Sequence, residues 1–253
     1  MSTDSYEQRP VIIGGSGGSG TRVIAQICAE TGHYMGHDLN VAYDTMSFGK
    51  FLRRWLDNYV IAKGNLPQTD AKKMQKDFTS GVLHHRYMLH PLEARWGWKN
   101  PRNVFLFPFH DSVYPQGRII QLVRDGRDMA FSDNQNQLRR HGRTVLGDAM
   151  DAMTPPLQSV SLWNAVNLAA AEYCEAHLGD RYLRVRLEDL CADSRAEIAR
   201  ILAFLEVDGD PERLAPLVQP PSSLGRWRNE PAEIVDQLTK AAEAGLRKFD
   251  YLS

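Results

Sequence analysis

Residues 11–21 read Val11-Ile12-Ile13-Gly14-Gly15-Ser16-Gly17-Gly18-Ser19-Gly20-Thr21, after which Val23, Ile24, Ile27 and Cys28 recur at helical spacing up to Gly32. A β-branched apolar run, five glycines in seven residues and an apolar stripe of helical period read as strand, glycine loop and helix. The same order returns at Arg118-Ile119-Ile120-Gln121-Leu122-Val123, followed by Arg124-Asp125-Gly126-Arg127-Asp128 and a helical pattern through Met129, Ala130 and Leu138. A third strand, Tyr182-Leu183-Arg184-Val185, precedes Glu188-Asp189-Leu190 and the periodic Ile198, Ile201, Leu202 and Leu205. Strands that alternate with helices predict an α/β fold, a three-layer sandwich whose central parallel sheet is covered on both faces.

Residues 34–114 hold far more chain than one crossover helix needs. Helical periodicity around Phe51, Leu52, Trp55, Leu56 and Tyr59, and again over 71–93, predicts a cap over the strand ends at about 34–95. Two further helices are expected over 157–178 and 232–246. No repeat, linker or low-complexity stretch divides the 253 residues, so one domain over 1–253 is expected.

Lys plus Arg is 30 against Asp plus Glu 31, so the global basic field that drives nucleic-acid or membrane binding is missing and an anion must be held locally. The polar start, MSTDSYEQRP, lacks the apolar core of a signal peptide and no run of eighteen apolar residues occurs, which predicts a cytoplasmic protein without a membrane partner. Cys28, Cys174 and Cys191 are odd in number and widely spaced, as expected of free thiols rather than a disulfide or zinc site. His84, His85 and His90 lack the spacing of a zinc pair, so no metal site is expected.

A glycine loop between a buried strand and a helix N-terminus aims several backbone N–H groups at one point, where the helix dipole adds positive potential; phosphate or sulfate is the expected guest. Gly15 and Gly20 have Walker A spacing, but Thr21 stands where that motif needs lysine. Beyond the second strand, Arg124 and Ser132 are eight residues apart, which lets both reach one dianionic group if the following helix bends back over the loop. Asp125, Arg127 and Asp128 are read as helix-start charges in surface pairs.

In order along the chain, Ser19-Gly20-Thr21, Arg124-Asp125-Gly126-Arg127-Asp128 with Ser132, Glu188-Asp189-Leu190 and Gly225-Arg226-Trp227-Arg228 resemble the sulfotransferases that use 3′-phosphoadenosine 5′-phosphosulfate (PAPS). The similarity runs from about residue 9 to 251 and is greatest to the branch with bacterial, tyrosylprotein-type and glycan-type enzymes. It implies a sulfuryl transfer to a hydroxyl or amine of a small-molecule or glycan acceptor, with no metal required. It also implies that Gly17, Gly18, Ser19, Gly20, Thr21 and Arg22 hold the 5′-phosphosulfate, that Arg124 and Ser132 hold the 3′-phosphate, and that Leu187, Arg226, Trp227 and Arg228 complete the nucleotide site.

Two departures from the family pattern matter. Gly18 stands where the family usually has a cation, with Arg22 as a partial substitute, and Leu187 stands where an aromatic residue often lies near the adenine, which would rest instead on an aliphatic surface aided by Trp227. Within Trp96-Gly97-Trp98-Lys99-Asn100-Pro101-Arg102, Lys99 is expected at a strand end and, by resemblance, near the transferring group. The base is expected just beyond the first helix: Asp38 first, His37 next and Asp44 third, with a helix cap as the other reading of Asp38. Two rivals stay open. A small-molecule kinase would use the same cradle for a phosphoryl donor, and a catalytically degenerate member would bind nucleotide without turnover.

Overall fold

All five residues of β1 (Val11–Gly15) are buried, and no polar side chain interrupts them. The computed structural model describes residues 8–90 and 94–252. In it β1 pairs in parallel with β2 (Gly97–Lys99) on one side and β3 (Arg118–Val123) on the other, and β4 (Tyr182–Arg186) follows β3, giving the order β2-β1-β3-β4. Register sets Ile13 beside Lys99 and Ile120, so β1 lies where the chain crosses from one half of the sheet to the other.

The glycine loop leads into α1 (Thr21–Glu30). Between β1 and β3 come α2 (Gly49–Ile61), α3 (Gln68–His85) and α4 (Phe107–Val113). After β3 follow α5 (Gly126–Ala130), α6 (Asn136–Leu146) and α7 (Pro155–His177). Beyond β4 lie α8 (Leu187–Ala192), α9 (Ser194–Leu205), α10 (Pro211–Leu214), α11 (Ala232–Ala241) and α12 (Glu243–Lys248).

Side chains alternate across a strand, and the core divides accordingly. Ile12 and Ile119 face an aromatic core with Phe51, Trp55, Phe78, Trp96 and Trp98, whereas Ile13, Ile120 and Leu122 face α1 and α9 through Ile24, Ile27, Ile198 and Ile201. Each such side chain contributes about 1.5–3 kcal/mol on burial, so both faces drive the layering. Trp55 donates from Nε1 to Asp77 Oδ2 at 2.8 Å and ties α2 to α3. Cys28 and Cys174 are buried thiols and Cys191 is half-buried. No described helix is long and apolar enough to cross a membrane.

Three helix expectations need correction. The pattern from Met129 to Leu138 is two helices, because Gln135 donates from Nε2 to the carbonyls of Met129 (3.0 Å) and Ser132 (2.8 Å) and turns the chain between them. The helix expected over 71–93 stops at His85 and continues only as a tight turn at Arg86–Met88; Pro91, Leu92 and Glu93 lie outside the described residues. The segment 232–246 is broken at Ala242 into α11 and α12.

Candidate active site

The carboxyl ends of all four strands meet at one edge: the glycine loop after β1, Lys99 at the end of β2, Arg124 after β3 and Leu187 after β4. Open parallel sheets place their ligands in this position, outside the strand ends and beside the switch in strand order.

The loop is braced from outside. Gln137 of α6 accepts from the Gly17 amide at 3.1 Å and donates to the Gly15 carbonyl at 3.2 Å, while Asn167 of α7 donates to Ser16 Oγ at 2.9 Å. Asn167 is held in turn by Gln121, and Gln121 by the Tyr182 hydroxyl at 2.6 Å. Gly18 and Gly20 have φ of +95° and +96°, a region glycine enters without steric cost. Among the described residues no acceptor engages the amides of Gly18 or Gly20, and the Ser19 hydroxyl is buried without a partner. Donors are thus presented at the N-terminus of α1 with nothing in the protein to take them.

Arg124 is buried and committed to the protein through two of its nitrogens. Its Nε and Nη2 donate to Asp128 Oδ2 at 3.3 and 2.9 Å, and Nη2 also reaches Ser223. Asp128 further accepts the amides of Gly225 (2.7 Å) and Trp227 (3.2 Å), so the Gly225-Arg226-Trp227-Arg228 segment is docked on the strand end by one carboxylate. Arg226 bonds the carbonyls of Ser223 and Phe131, next to Ser132. Ser132 lies against the loop: a Cβ at Gly18 would come 3.4 Å from its Oγ. Because the helix breaks at Phe131, Ser132 reaches the loop from a turn, not from two helical turns beyond Arg124.

The charges of the second motif are not surface pairs. Asp125, Arg127 and Asp128 are 5%, 5% and 1% exposed; Asp125 caps α5 through the Arg127 amide and grips the Arg127 guanidinium at 2.7 Å. Glu188 accepts from the Asp125 amide (3.0 Å) and the Tyr251 hydroxyl (2.7 Å), and burial holds its carboxyl above the ordinary glutamate range. That residue therefore fastens β4 to the second loop and the C-terminal segment.

Leu187 lies against Gly20 in a cavity of about 300 Å³ lined also by Arg22, Val23, Leu217, Val218 and Pro221. Its wall mixes the aliphatic Val23, Leu187, Leu217 and Val218 with the polar Arg22, Gln26 and Gln219. Trp227 is not in that wall: it is stacked between Arg127 (3.8 Å) and Arg228 (4.7 Å) and lines a separate cavity with Asp128 and Tyr251, because Asp128 holds its backbone there.

Lys99 is 2% exposed and its Nζ donates to Asp44 Oδ1 at 2.5 Å and to the Ala42 carbonyl at 2.7 Å. Burial draws its pKa below the ordinary lysine value, Asp44 opposes that, and the positive Arg22 adds to it, which brings Arg22 into the field of the same group. Asp44 is delivered by an Asn40 turn. Asn40 Oδ1 accepts the amides of Ala42 and Asp44, both at 2.9 Å, and its Nδ2 donates to Asp44 Oδ2. The carboxylate on the lysine is therefore Asp44, not Asp38, which sits in a bend with its carbonyl on the Met46 amide and caps no helix. His37 lies apart from the pair, bonded to the Tyr34 hydroxyl and packed on His84.

Sequence reasoning missed Gln137, Asn167 and Asp128 as organisers of the site. The first two sit on helices whose patterns show only core and surface, and Asp128 has the same signature as any helix-start acid.

Residues 10–211 match the model of a family described as "Sulfotransferase family". Among solved structures, the chain is similar to sulfotransferase STF1 from Mycobacterium tuberculosis H37Rv (14% identity, 94% of this chain and 77% of that one, TM-score 0.53). It is also similar to the sulfotransferase domain of the Synechococcus PCC 7002 olefin synthase (20% identity, 93% of each chain, TM-score 0.53). No curated protein matches the sequence directly.

Proposed function

This chain belongs to the sulfotransferase family, and from that premise we propose that it transfers the sulfuryl group of PAPS to a hydroxyl or amine of an acceptor that enters beside residues 34–95. The donor fits the loop: the buried, unpartnered Ser19 hydroxyl and the unengaged Gly18 and Gly20 amides suit phosphosulfate oxygens. The cavity at Leu187, with aliphatic side chains for the base and Gln26 and Gln219 for polar contacts, suits the adenosine, and Arg124, Ser132 and Arg226, with Arg228 at the edge of the segment, suit the 3′-phosphate. Trp227 serves there through its backbone tie to Asp128 rather than by stacking on the base.

When bound, PAPS supplies the sulfuryl group and leaves as adenosine 3′,5′-diphosphate. The chain contributes orientation, charge and a base. Lys99 ends β2 beside Ile13 of β1, two residues short of that strand's own end, and its ammonium lowers the energy of negative charge that develops at the transferring group. Arg22, in the field of Lys99, adds positive charge that Gly18 does not provide. Asp44 accepts the acceptor's proton as Lys99 turns its hydrogen bond toward the donor. The observation that carries this reading is the pairing of buried Lys99 with half-buried Asp44 at the end of the strand next to β1. It also favours turnover over a degenerate binder, since a binding module gains nothing from burying an ammonium against a carboxylate.

The test is calorimetric titration with adenosine 3′,5′-diphosphate and, separately, ATP with magnesium. Tight binding of the diphosphate and weak binding of ATP is expected. The reverse would assign the cradle to a phosphoryl donor and overturn the proposal.

A further inference from the structure

Most arginines of this chain stand on a carboxylate, from Arg9 on Glu206 to Arg247 on Glu243. Among the described residues Arg22, Arg53, Arg102, Arg139, Arg140, Arg226 and Arg228 form no ion pair with a carboxylate, and of these Arg53, Arg102 and Arg140 come from three elements that pack on one another. Arg53 is on α2, Arg140 on α6 and Arg102 on the tight turn Pro101–Phe105.

The packing shows why they converge. His141, next to Arg140, is bonded through Nδ1 to Asp57 of α2 at 2.7 Å, and Asp57 is one turn beyond Arg53. The ring of Phe105 packs on His141 with centroids 5.5 Å apart, which draws the tight turn to α6. Arg102 is fixed by Asn100, whose Oδ1 accepts both its amide (3.1 Å) and its Nε (3.3 Å), and Asn100 directly follows Lys99. Burial, Arg140 and Arg53 all pull the Arg102 pKa down, and Asp44 alone opposes them, so the cations lie in one another's field and next to the Lys99–Asp44 pair. The facing acids are Asp44, paired with the Lys99 ammonium, and the half-exposed Asp57, which is hydrogen-bonded to His141 but not neutralised by it, because burial lowers the His141 pKa. Arg53 and Arg140 are exposed, so water screens their repulsion, and an oxyanion placed among them and Arg102 is attracted by all three.

We propose that Arg53, Arg102 and Arg140 form an oxyanion site beside Lys99–Asp44, and that the acceptor carries a carboxylate or phosphate which rests there while its hydroxyl or amine reaches the pair. This rests on the transfer reading above, because it takes Lys99–Asp44 as the reacting centre. It makes the acceptor an anionic molecule and makes Arg102, tied through Asn100 to the residue beside Lys99, the link between recognition and chemistry. Two guanidinium forks grip one oxyanion well, since their planar donors match its oxygens.

The test uses the full chain saturated with adenosine 3′,5′-diphosphate, so that the glycine loop is filled. Inorganic phosphate, and in a second arm benzoate, is titrated calorimetrically at low salt into this protein and into its Arg53→Gln/Arg140→Gln variant, whose two sites are exposed and whose fold is checked by circular dichroism. A saturable anion site that weakens at least tenfold in the variant, with diphosphate affinity unchanged, is expected; the arm that binds more tightly identifies the head group. Absence of saturable binding of either anion, or equal binding by the variant, overturns the proposal. If the diphosphate itself fails to bind, the transfer reading falls instead, and the arginine dependence of phosphate binding to the free protein still decides the oxyanion site.

Discussion

At Lys99 a single ammonium holds Asp44 in a buried place, and the proposed transfer asks it also to stabilise the leaving charge. Lys99→Met is expected to cut kcat by about a hundredfold or more, about 2.7 kcal/mol of transition-state stabilisation, and to change adenosine 3′,5′-diphosphate affinity only a few-fold. Steady-state kinetics set beside calorimetry checks this, and a proportionate loss of both would make Lys99 a binding residue only. Because burial lowers its pKa, raising the pH removes the proton before the ordinary lysine value is reached, so the alkaline limb of kcat should begin below 10.5. Lys99 was legible in the sequence as a cation at a strand end, directly after Trp96 and Trp98 and before Asn100-Pro101. Its partner was not: Asp44 is 55 residues away along the chain, and the choice between Asp38 and Asp44 is made by the Asn40 turn, which exists only once the loop is closed.

The glycine loop has fixed ends and, among the described residues, a bare centre. Gly20→Ala puts a Cβ 2.9 Å from Leu187 Cδ1 at a φ of +96°. The leucine tip can shift, but the backbone angle cannot relax without moving the first turn of α1, so about 1–2 kcal/mol of stability should be lost. Donor affinity should fall further, by tenfold or more, since the amides lose their aim. Urea unfolding and diphosphate titration of the variant would measure the two separately, and an unchanged affinity would show that the loop does not hold the donor. At this scale the three strands and the loop were readable from period and glycine density. The break at Phe131 was not, because Met129, Ala130 and Leu138 keep helical spacing while one side chain, Gln135, takes the carbonyls that a continuous helix would use. Burial of Asp125, Arg127 and Asp128 was hidden for a similar reason: a charged run looks solvated until a later segment covers it.

Over the molecule as a whole, three buried histidines make stability depend on acid. Burial lowers the pKa of His33 and His85 to about 4 and that of His110 to about 3, against 6.5 in the unfolded chain. Between these values the unfolded state holds more protons than the folded one, so stability falls as pH drops below 6.5 and the loss ends only below the folded values. From pH 7 to pH 5 the loss should be about 2 kcal/mol for each histidine. His110, ringed by Phe78, Trp98 and Phe109 with neither ring nitrogen bonded among the described residues, is the cleanest case. His110→Leu should remove its share of the acid loss in denaturant titrations at the two pH values; an unchanged pH slope would mean that the ring is solvated in the native state. The layered α/β architecture followed from pattern alone, whereas the packing of α2 and α3 on the sheet depended on contacts between aromatic residues far apart in sequence. One helix joins these scales. The same face of α6 carries Gln137, which clamps the glycine loop, and one turn later Arg140 of the cationic cluster. A ligand that steadies α6 through Arg140 therefore stiffens the loop through Gln137, and thermodynamic reciprocity requires that the donor return the same coupling free energy to the acceptor. On the proposed reading the donor and acceptor sites are joined by one helix eleven residues long, and a donor analogue and an anion should each bind more tightly in the presence of the other.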